Sequence, residues 1–147
     1  DDGQRFDNIL DLGCGTAVLA MSAARMGAAH VLASDIDPVA VEVALANVKA
    51  NGLVGRVACV ESIGFDSPDL RAGAPFDLIF ANILKGPLIE LAPDMAAHLA
   101  PGGRAILSGL LVEQADEIVE VYQGQGLALE TREDLGEWSA LTLRRLS

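Results

Sequence analysis

The chain has 147 residues, half of them hydrophobic, and a formal net charge of −11 at pH 7. The length fits one domain with its own core, and the acidity argues against a nucleic-acid binder, which needs a basic face. No apolar run approaches the ~20 residues that cross a bilayer, and no signal peptide is visible, so we expect a cytoplasmic protein with no membrane contact. The isolated cysteines (Cys14, Cys59) and histidines (His30, His98) predict neither a disulfide nor a metal site.

Strand and helix patterns alternate along the chain. Apolar runs predict five strands, over residues 8–12, 30–34, 56–61, 76–81 and 104–108. Apolar residues at helical spacing predict four helices, over residues 16–27, 38–50, 88–99 and 112–122. Asp37 is the expected cap of the second helix, and residues 62–75 are predicted to form a loop with a short helical turn.

The last part of the chain has a different pattern. Residues 127–134 and 137–145 alternate like strands on either side of Gly136, which predicts an antiparallel hairpin. The five earlier strands alternate with helices, which implies a parallel sheet covered on both faces. The predicted fold is therefore α/β: a Rossmann-like, doubly wound, seven-stranded sheet, mostly parallel, with a C-terminal antiparallel hairpin.

Residues 11–15, Asp-Leu-Gly-Cys-Gly, are the most informative segment. Gly13 and Gly15 allow a sharp turn and the close approach of a ligand, and the helix behind them directs free N–H groups toward it. A dinucleotide fingerprint would need a third glycine where this chain has Val18, and the sequence contains no G-x-x-x-x-G-K-[ST]. Asp11 would repel a pyrophosphate but attract a cation, which favours S-adenosylmethionine, a cofactor with an ammonium, a sulfonium and no phosphate.

A second acidic position follows the second predicted strand. Asp35 lies 22 residues after Gly13, close to the spacing of about 20 at which an acid binds the ribose hydroxyls of a cofactor. The glycine loop, this spacing and Asp35 together favour a cofactor site over an ordinary strand–turn–helix unit.

Asn82 follows the fourth predicted strand. Its side-chain carbonyl can accept a hydrogen bond from an amine and so orient the amine toward a methyl group, a reaction that needs mainly alignment and a dry site. Asparagine also suits an ordinary turn, but a position across from the cofactor loop favours a functional role. Because the carboxyl ends of parallel strands meet at one edge, Gly13, Asp35, the Glu61–Ser62 region and Asn82 are expected to lie together.

These residues resemble those of the seven-stranded S-adenosylmethionine-dependent methyltransferases. The resemblance is closest to the catalytic domain of the PrmA family, bacterial enzymes that methylate a protein of the large ribosomal subunit. The resembling segments are residues 9–16, 34–41, 77–84, 99–104 and 136–138. The first is common to the superfamily, whereas the Asn-Ile-Leu and Gly-Glu-Trp sequences are much more particular to this family.

The resemblance implies a role for each site residue. Gly13 and Gly15 would line the methionine part of S-adenosylmethionine, and Asp11 would lie near its amino group. Asp35 would hold the ribose hydroxyls. Asn82 would stand beside the reactive methyl and the incoming amine, as a cofactor-binding and catalytic residue. The implied substrate is a ribosomal protein, methylated on lysine side chains and on its terminal amine.

The chain also differs from the family pattern in several respects. Residues 1–147 correspond to the catalytic domain, so we expect the N-terminal substrate-recognition domain and an upstream Phe-Gly-Thr-Gly-type loop to be absent from this chain. Many methyltransferases have a third glycine where this chain has Ala17, which is a mild change. The alternatives are a methyltransferase for another protein lysine or a small amine, and a cofactor-binding module inactive because it is truncated. A nicotinamide-dependent oxidoreductase is more distant, because Val18 disfavours it.

Four further residues have simpler interpretations. Tyr122 is expected in the core. Trp138 could stack on the cofactor or substrate, but a core position is favoured. Lys85 could touch the substrate, but an exposed position on a loop is favoured. Cys14 lies at a helix N-terminus but has no paired acid or base, which argues against a cysteine nucleophile.

Overall fold

The structure is a computed structural model that describes residues 6–15 and 17–146. Within these residues, strands and helices follow one another in the predicted order. The strands are β1 (Asn8–Leu12), β2 (His30–Asp35), β3 (Val57–Glu61), β4 (Phe76–Asn82), β5 (Leu99–Leu111), β6 (Leu127–Leu135) and β7 (Trp138–Arg145). The helices are α1 (Val18–Arg25), α2 (Pro38–Ala50), α3 (Pro68–Gly73), α4 (Lys85–Glu90), α5 (Ala92–His98) and α6 (Val112–Gln123).

The seven strands form one sheet in the order β3-β2-β1-β4-β5-β7-β6. The first five are parallel to one another, and β7 runs antiparallel to both β5 and β6. The predicted fold class, a mostly parallel doubly wound sheet with a C-terminal hairpin, is confirmed. Strand β1 has β2 on one side and β4 on the other, so the strand order reverses there and opens a crevice at the carboxyl ends.

The sheet separates two hydrophobic clusters. On one face, Ile9 and Leu78 pack with the buried sides of α1 and α2. On the other face, Leu10 and Ile79 pack with buried residues of α3 to α6. Neighbouring strand residues point to opposite faces, so Asp11, two positions after Ile9, lies on the α1–α2 face.

Local sequence signals account for the start of α2 and for the break between α4 and α5. Asp37 caps α2 as expected, since its Oδ1 accepts a hydrogen bond from the Val39 N–H at 2.9 Å. The helix predicted over 88–99 is instead two short helices, α4 and α5, because Pro93 lies in the first turn of α5 and cannot continue a helix from α4. Thr16, the expected start of the first helix, lies outside the described residues, and α1 begins at Val18.

Strand β5 is longer than predicted. It begins at Leu99 rather than at 104, so the Pro-Gly-Gly sequence of residues 101–103 lies inside the strand, beside a register irregularity against β4. No helix among the described residues is long and apolar enough to cross a membrane.

Candidate functional site

The carboxyl ends of β1, β2 and β4 surround a cavity of about 390 Å³. Its lining residues are Leu12, Gly13, Ser34, Asp35, Ile36, Ser62, Gly64, Asn82, Ile83, Leu84, Pro87 and Leu91. The structure therefore brings Gly13, Asp35, Ser62 and Asn82 to one edge of the sheet, as the sequence predicts. Their roles stay predictions.

Gly13 packs against the segment that follows β4. Its φ is +75°, and a Cβ at this position would lie 2.8 Å from Cγ2 of Ile83. The N–H groups of Gly13 and Cys14 both donate to the Ser34 carbonyl at 2.8 Å. Only glycine satisfies both the conformation and the spacing, so the turn is held against the end of β2.

Asp35 fastens the glycine loop to the end of β2. Its Oδ2 accepts from the Gly15 N–H at 3.0 Å, and its Oδ1 accepts from the Asp37 N–H at 3.0 Å. A carboxylate has about four acceptor sites, so each oxygen retains the capacity to accept from a ribose hydroxyl. Gly15 thus meets Asp35 directly, a contact that the spacing of the two residues does not reveal.

Asp11 is a buried acid, and one of its carboxylate oxygens accepts no hydrogen bond from the described residues. The residue is 2% exposed, and its Oδ2 has no hydrogen-bond partner among the described residues. Burial raises the pKa of Asp11 from 3.8 to about 6; a hydrogen bond from the Ala20 backbone lowers it, and the charge of Asp35 raises it. An ionised carboxylate in this position is costly unless a cation faces it. Asp11 is not among the residues that line the cavity, but its negative charge next to the glycine loop favours a ligand with a positive group.

Ser34 is a second buried polar group that sequence reasoning missed. It is fully buried and lines the cavity, and its Oγ has no partner within the described part of the chain. The available signal was a hydroxyl inside the apolar run of the second strand.

Cys14, in the glycine loop, has a thiol that is not activated as a nucleophile. Burial, followed by the charges of Asp11 and Asp35, raises the pKa of Cys14 to about 12. The thiol stays protonated at neutral pH, which agrees with the expectation that Cys14 is not a nucleophile.

The backbone of Ala17, at the position where many methyltransferases have a third glycine, is in an unfavourable conformation. Ala17 has φ 67° and is fully buried. This left-handed conformation costs an L residue roughly 1–2 kcal/mol, so the change from glycine is less mild than the sequence suggests.

Asn82 ends β4 and is exposed, opposite Ser108 of β5 in the register. It shares the α1–α2 face with Leu78, by the alternation of strand residues. The next charged residue, Lys85, does not extend freely into solvent: its Nζ lies 2.5 Å from Oε1 of Glu117 on α6. The expectation for Trp138 is wrong, because its side chain is 53% exposed at the hairpin.

The family model of the ribosomal protein L11 methyltransferase (PrmA) matches residues 2–146. The chain belongs to this family. Its relatives include the ribosomal protein L11 methyltransferase of Brucella suis, 48% identical over 93% of this chain and 48% of the relative. That of Bradyrhizobium diazoefficiens is 47% identical over 97% of this chain and 48% of the relative. The chain thus spans about half the length of the curated relatives it matches.

Solved structures agree with the PrmA assignment. The ribosomal protein L11 methylase of Lactobacillus delbrueckii subsp. bulgaricus has a TM-score of 0.89 and is 29% identical, covering 99% of this chain and 73% of that chain. A methyltransferase from Pyrococcus furiosus has a TM-score of 0.77 at 23% identity, covering 95% of this chain and 74% of that chain, and shows the same fold.

The family implies S-adenosylmethionine as the cofactor, and the residues present fit this molecule. Asp35, which lines the cavity at the end of β2, suits its ribose hydroxyls, and the charge of Asp11, which is buried close by and does not line the cavity, suits its ammonium group. The negative charges of these two acids disfavour a diphosphate.

Proposed function

We propose that residues 1–147 form the catalytic domain of an S-adenosylmethionine-dependent methyltransferase that acts on amines of ribosomal protein L11. The observation that carries the proposal is the buried Asp11, two residues before Gly13 of the cavity, whose Oδ2 has no hydrogen-bond partner among the described residues. A cationic, phosphate-free cofactor is the ligand class that such an acid favours.

In this proposal, three parts of the chain hold the cofactor. Gly13 lines the cavity where the methionine part would lie, and its missing Cβ lets the loop pack against Ile83. Asp11 faces the ammonium, and Asp35 accepts from the ribose hydroxyls while it keeps the loop closed through Gly15. When bound, S-adenosylmethionine would supply an electrophilic methyl group, and its sulfur would keep the electron pair of the broken carbon–sulfur bond as a neutral thioether.

Asn82 prepares the incoming amine. Its Oδ1 accepts a hydrogen bond from an amine N–H, which turns the nitrogen lone pair toward the methyl carbon. The amine must arrive unprotonated, and the proton that it loses after transfer goes to solvent through the exposed side of Asn82. Alignment in a partly dry cavity supplies the rate, with no acid–base side chain required.

The substrate is inferred from two properties. The relatives are named for ribosomal protein L11, and the net charge of −11 suits a basic polypeptide. Lysine side chains and the terminal amine are the groups to be methylated. The cytoplasm, where ribosomal proteins and S-adenosylmethionine meet, is the proposed location.

Transfer of a labelled methyl group tests the proposal. The chain is incubated with purified ribosomal protein L11 and methyl-labelled S-adenosylmethionine, and the products are mapped by peptide mass spectrometry. We expect mass additions of whole methyl groups on lysines or the terminal amine of L11. Cofactor binding without any label would instead support the alternative of an inactive binding module.

Asn82→Ala separates catalysis from binding in the same assay. We expect turnover to fall about 10- to 100-fold while the Kd of S-adenosylmethionine changes little, because the amide orients the amine rather than the cofactor. Ser108→Ala, on the neighbouring strand, is the control. The opposite pattern, weaker binding with unchanged turnover, would make Asn82 a cofactor ligand only.

A further inference from the structure

Strand β5 bulges at the edge of the sheet that carries the site. Leu107 pairs with Leu141 of β7, but Leu110 pairs with Ser139, so β5 has one residue more than β7 between these pairs. Gly109 lies within this bulge with φ +75°. A bulge with a left-handed glycine bends its strand and changes the direction of nearby groups, and such bulges are frequent beside active sites.

The bulge places the backbone of Gly109 directly against the side chain of Asn82. A Cβ on Gly109 would collide with Oδ1 of Asn82 and would lie 3.3 Å from its Cγ. The strands are neighbours at this point, since Asn82 pairs with Ser108. The Asn82 carboxamide therefore occupies space that any side chain at position 109 would take.

We infer that Gly109 is a positioning residue for Asn82. Because Gly109 has no Cβ, there is room beside it for the side-chain oxygen of Asn82. The backbone of the bulge forms one side of this space and so restricts the directions in which Oδ1 can point. This inference rests on the proposed function, in which Oδ1 of Asn82 orients the amine. Asn82 is exposed, so its side chain can rotate away from an added Cβ at little cost in stability. The effect of a side chain at position 109 should therefore fall on catalysis.

Gly102 provides a matched control in the same strand. Its φ is +77°, nearly that of Gly109, and a Cβ there would have no neighbour within 4 Å. Gly102→Ala and Gly109→Ala thus impose similar backbone strain, but only the second places a methyl group against Asn82. Comparing the two removes the contribution of strain.

The activity test compares Gly109→Ala, Gly102→Ala, Asn82→Ala and the double variant Asn82→Ala/Gly109→Ala. We expect Gly109→Ala to lower kcat about 10- to 100-fold relative to Gly102→Ala, with the Kd of S-adenosylmethionine within about twofold. In the Asn82→Ala background, Gly109→Ala should have no further effect beyond that of Gly102→Ala. Equal kcat values for the two alanine variants, or additive losses in the double variant, would overturn the inference.

A second readout is independent of activity. In a ¹⁵N-labelled sample without cofactor, the side-chain amide signal of Asn82 is identified by its loss in Asn82→Ala. We expect this signal to move in Gly109→Ala and to stay in place in Gly102→Ala. An unmoved signal would overturn the positioning role. A moved signal in a chain with no methyl transfer would retain that role and reject the proposed function.

Folding of the variants is also informative. If Gly109→Ala fails to fold while Gly102→Ala folds, the double variant decides the cause. Recovery of folding in Asn82→Ala/Gly109→Ala assigns the collision to the Asn82 side chain and supports the inference. Continued failure to fold would place the conflict elsewhere and overturn it.

Discussion

The proposed role of Asp11 makes cofactor binding depend on pH. Because its pKa in the folded chain is raised to about 6, the carboxylate is ionised above that pH and uncharged below it. We expect affinity for S-adenosylmethionine to fall as pH drops through about 6, since the ammonium then faces a neutral acid. Calorimetric titrations between pH 5 and 8 measure this, with Glu42→Gln on the exposed side of α2 as the control variant. A Kd independent of pH across this range would remove Asp11 from the cofactor site.

The same acid should destabilise the free protein at neutral pH. A folded-state pKa raised above the unfolded value means that the folded chain binds the proton more tightly. Its contribution to stability is therefore complete below pH 3.8 and is lost as pH rises through about 6. The difference corresponds to roughly 3 kcal/mol.

Asp11→Asn removes this titration. At pH 7.5 we expect its free energy of unfolding to exceed that of the parent chain by about 1–3 kcal/mol, with the difference shrinking below pH 4. Cofactor affinity should fall at the same time. Urea unfolding of the cofactor-free variants at both pH values is the measurement, and an Asn variant less stable than the parent at pH 7.5 would refute this account of Asp11.

Asp35 accepts a hydrogen bond from the Gly15 N–H, and we propose that it also binds the ribose of the cofactor. Asp35→Ala should weaken S-adenosylmethionine binding by about 1.5–3 kcal/mol, because it removes hydrogen bonds to a charged acceptor and releases Gly15. Asp37→Ser is the matched control, since it removes a carboxylate two positions away but keeps a cap for α2. Equal Kd values for the two variants would show that Asp35 does not bind the cofactor.

Among the elements, α6 holds α4 in place through one buried hydrogen bond. The Tyr122 hydroxyl donates to the Leu88 carbonyl at 2.8 Å, and both residues are fully buried. The sequence correctly predicts Tyr122 in the core, but the apolar spacing that predicts its burial does not identify its partner on α4. Helix α4 comes directly after the segment that begins at Asn82 and contributes Pro87 to the lining of the cavity. The hydrogen bond between Tyr122 and Leu88 therefore supports one side of the site.

Tyr122→Phe tests the link between these helices. The variant keeps the ring but leaves the Leu88 carbonyl without its donor, so we expect the free energy of unfolding to fall by about 1–3 kcal/mol. Chemical denaturation measures the change, and Trp138→Phe at the exposed hairpin is the control aromatic substitution. If both variants unfold like the parent chain, the bond does not stabilise the packing of α4 on α6.

Sequence patterns predict the elements better than the contacts between them. The bounds of β1 are those predicted because an apolar run and a glycine turn both define it locally. Trp138 is misassigned because an aromatic residue in an alternating strand resembles a core position, whereas the hairpin end exposes it. The contact of Gly109 with Asn82 depends on a one-residue bulge between strands, and no local pattern encodes that register.

At the scale of the whole molecule, the sheet order explains why residues far apart in the chain meet. Asp11, Asp35 and Asn82 each lie near the carboxyl end of a strand, and β2, β1 and β4 are adjacent. The sequence predicts this edge because alternating strands and helices produce parallel strands. It does not predict that the acid of β2 closes the loop of β1, because side-chain hydrogen bonds across the edge depend on the folded geometry.

In the proposed function, this edge of the sheet binds S-adenosylmethionine with the help of Asp11 and Asp35. The most direct test is a calorimetric titration of the chain with S-adenosylmethionine, with NAD as the control ligand and Asp35→Ala as the control protein. We predict saturable binding of S-adenosylmethionine at a single site, weakened in Asp35→Ala, and no heat of binding from NAD. Failure to bind S-adenosylmethionine, or equally tight binding by Asp35→Ala, would contradict the account.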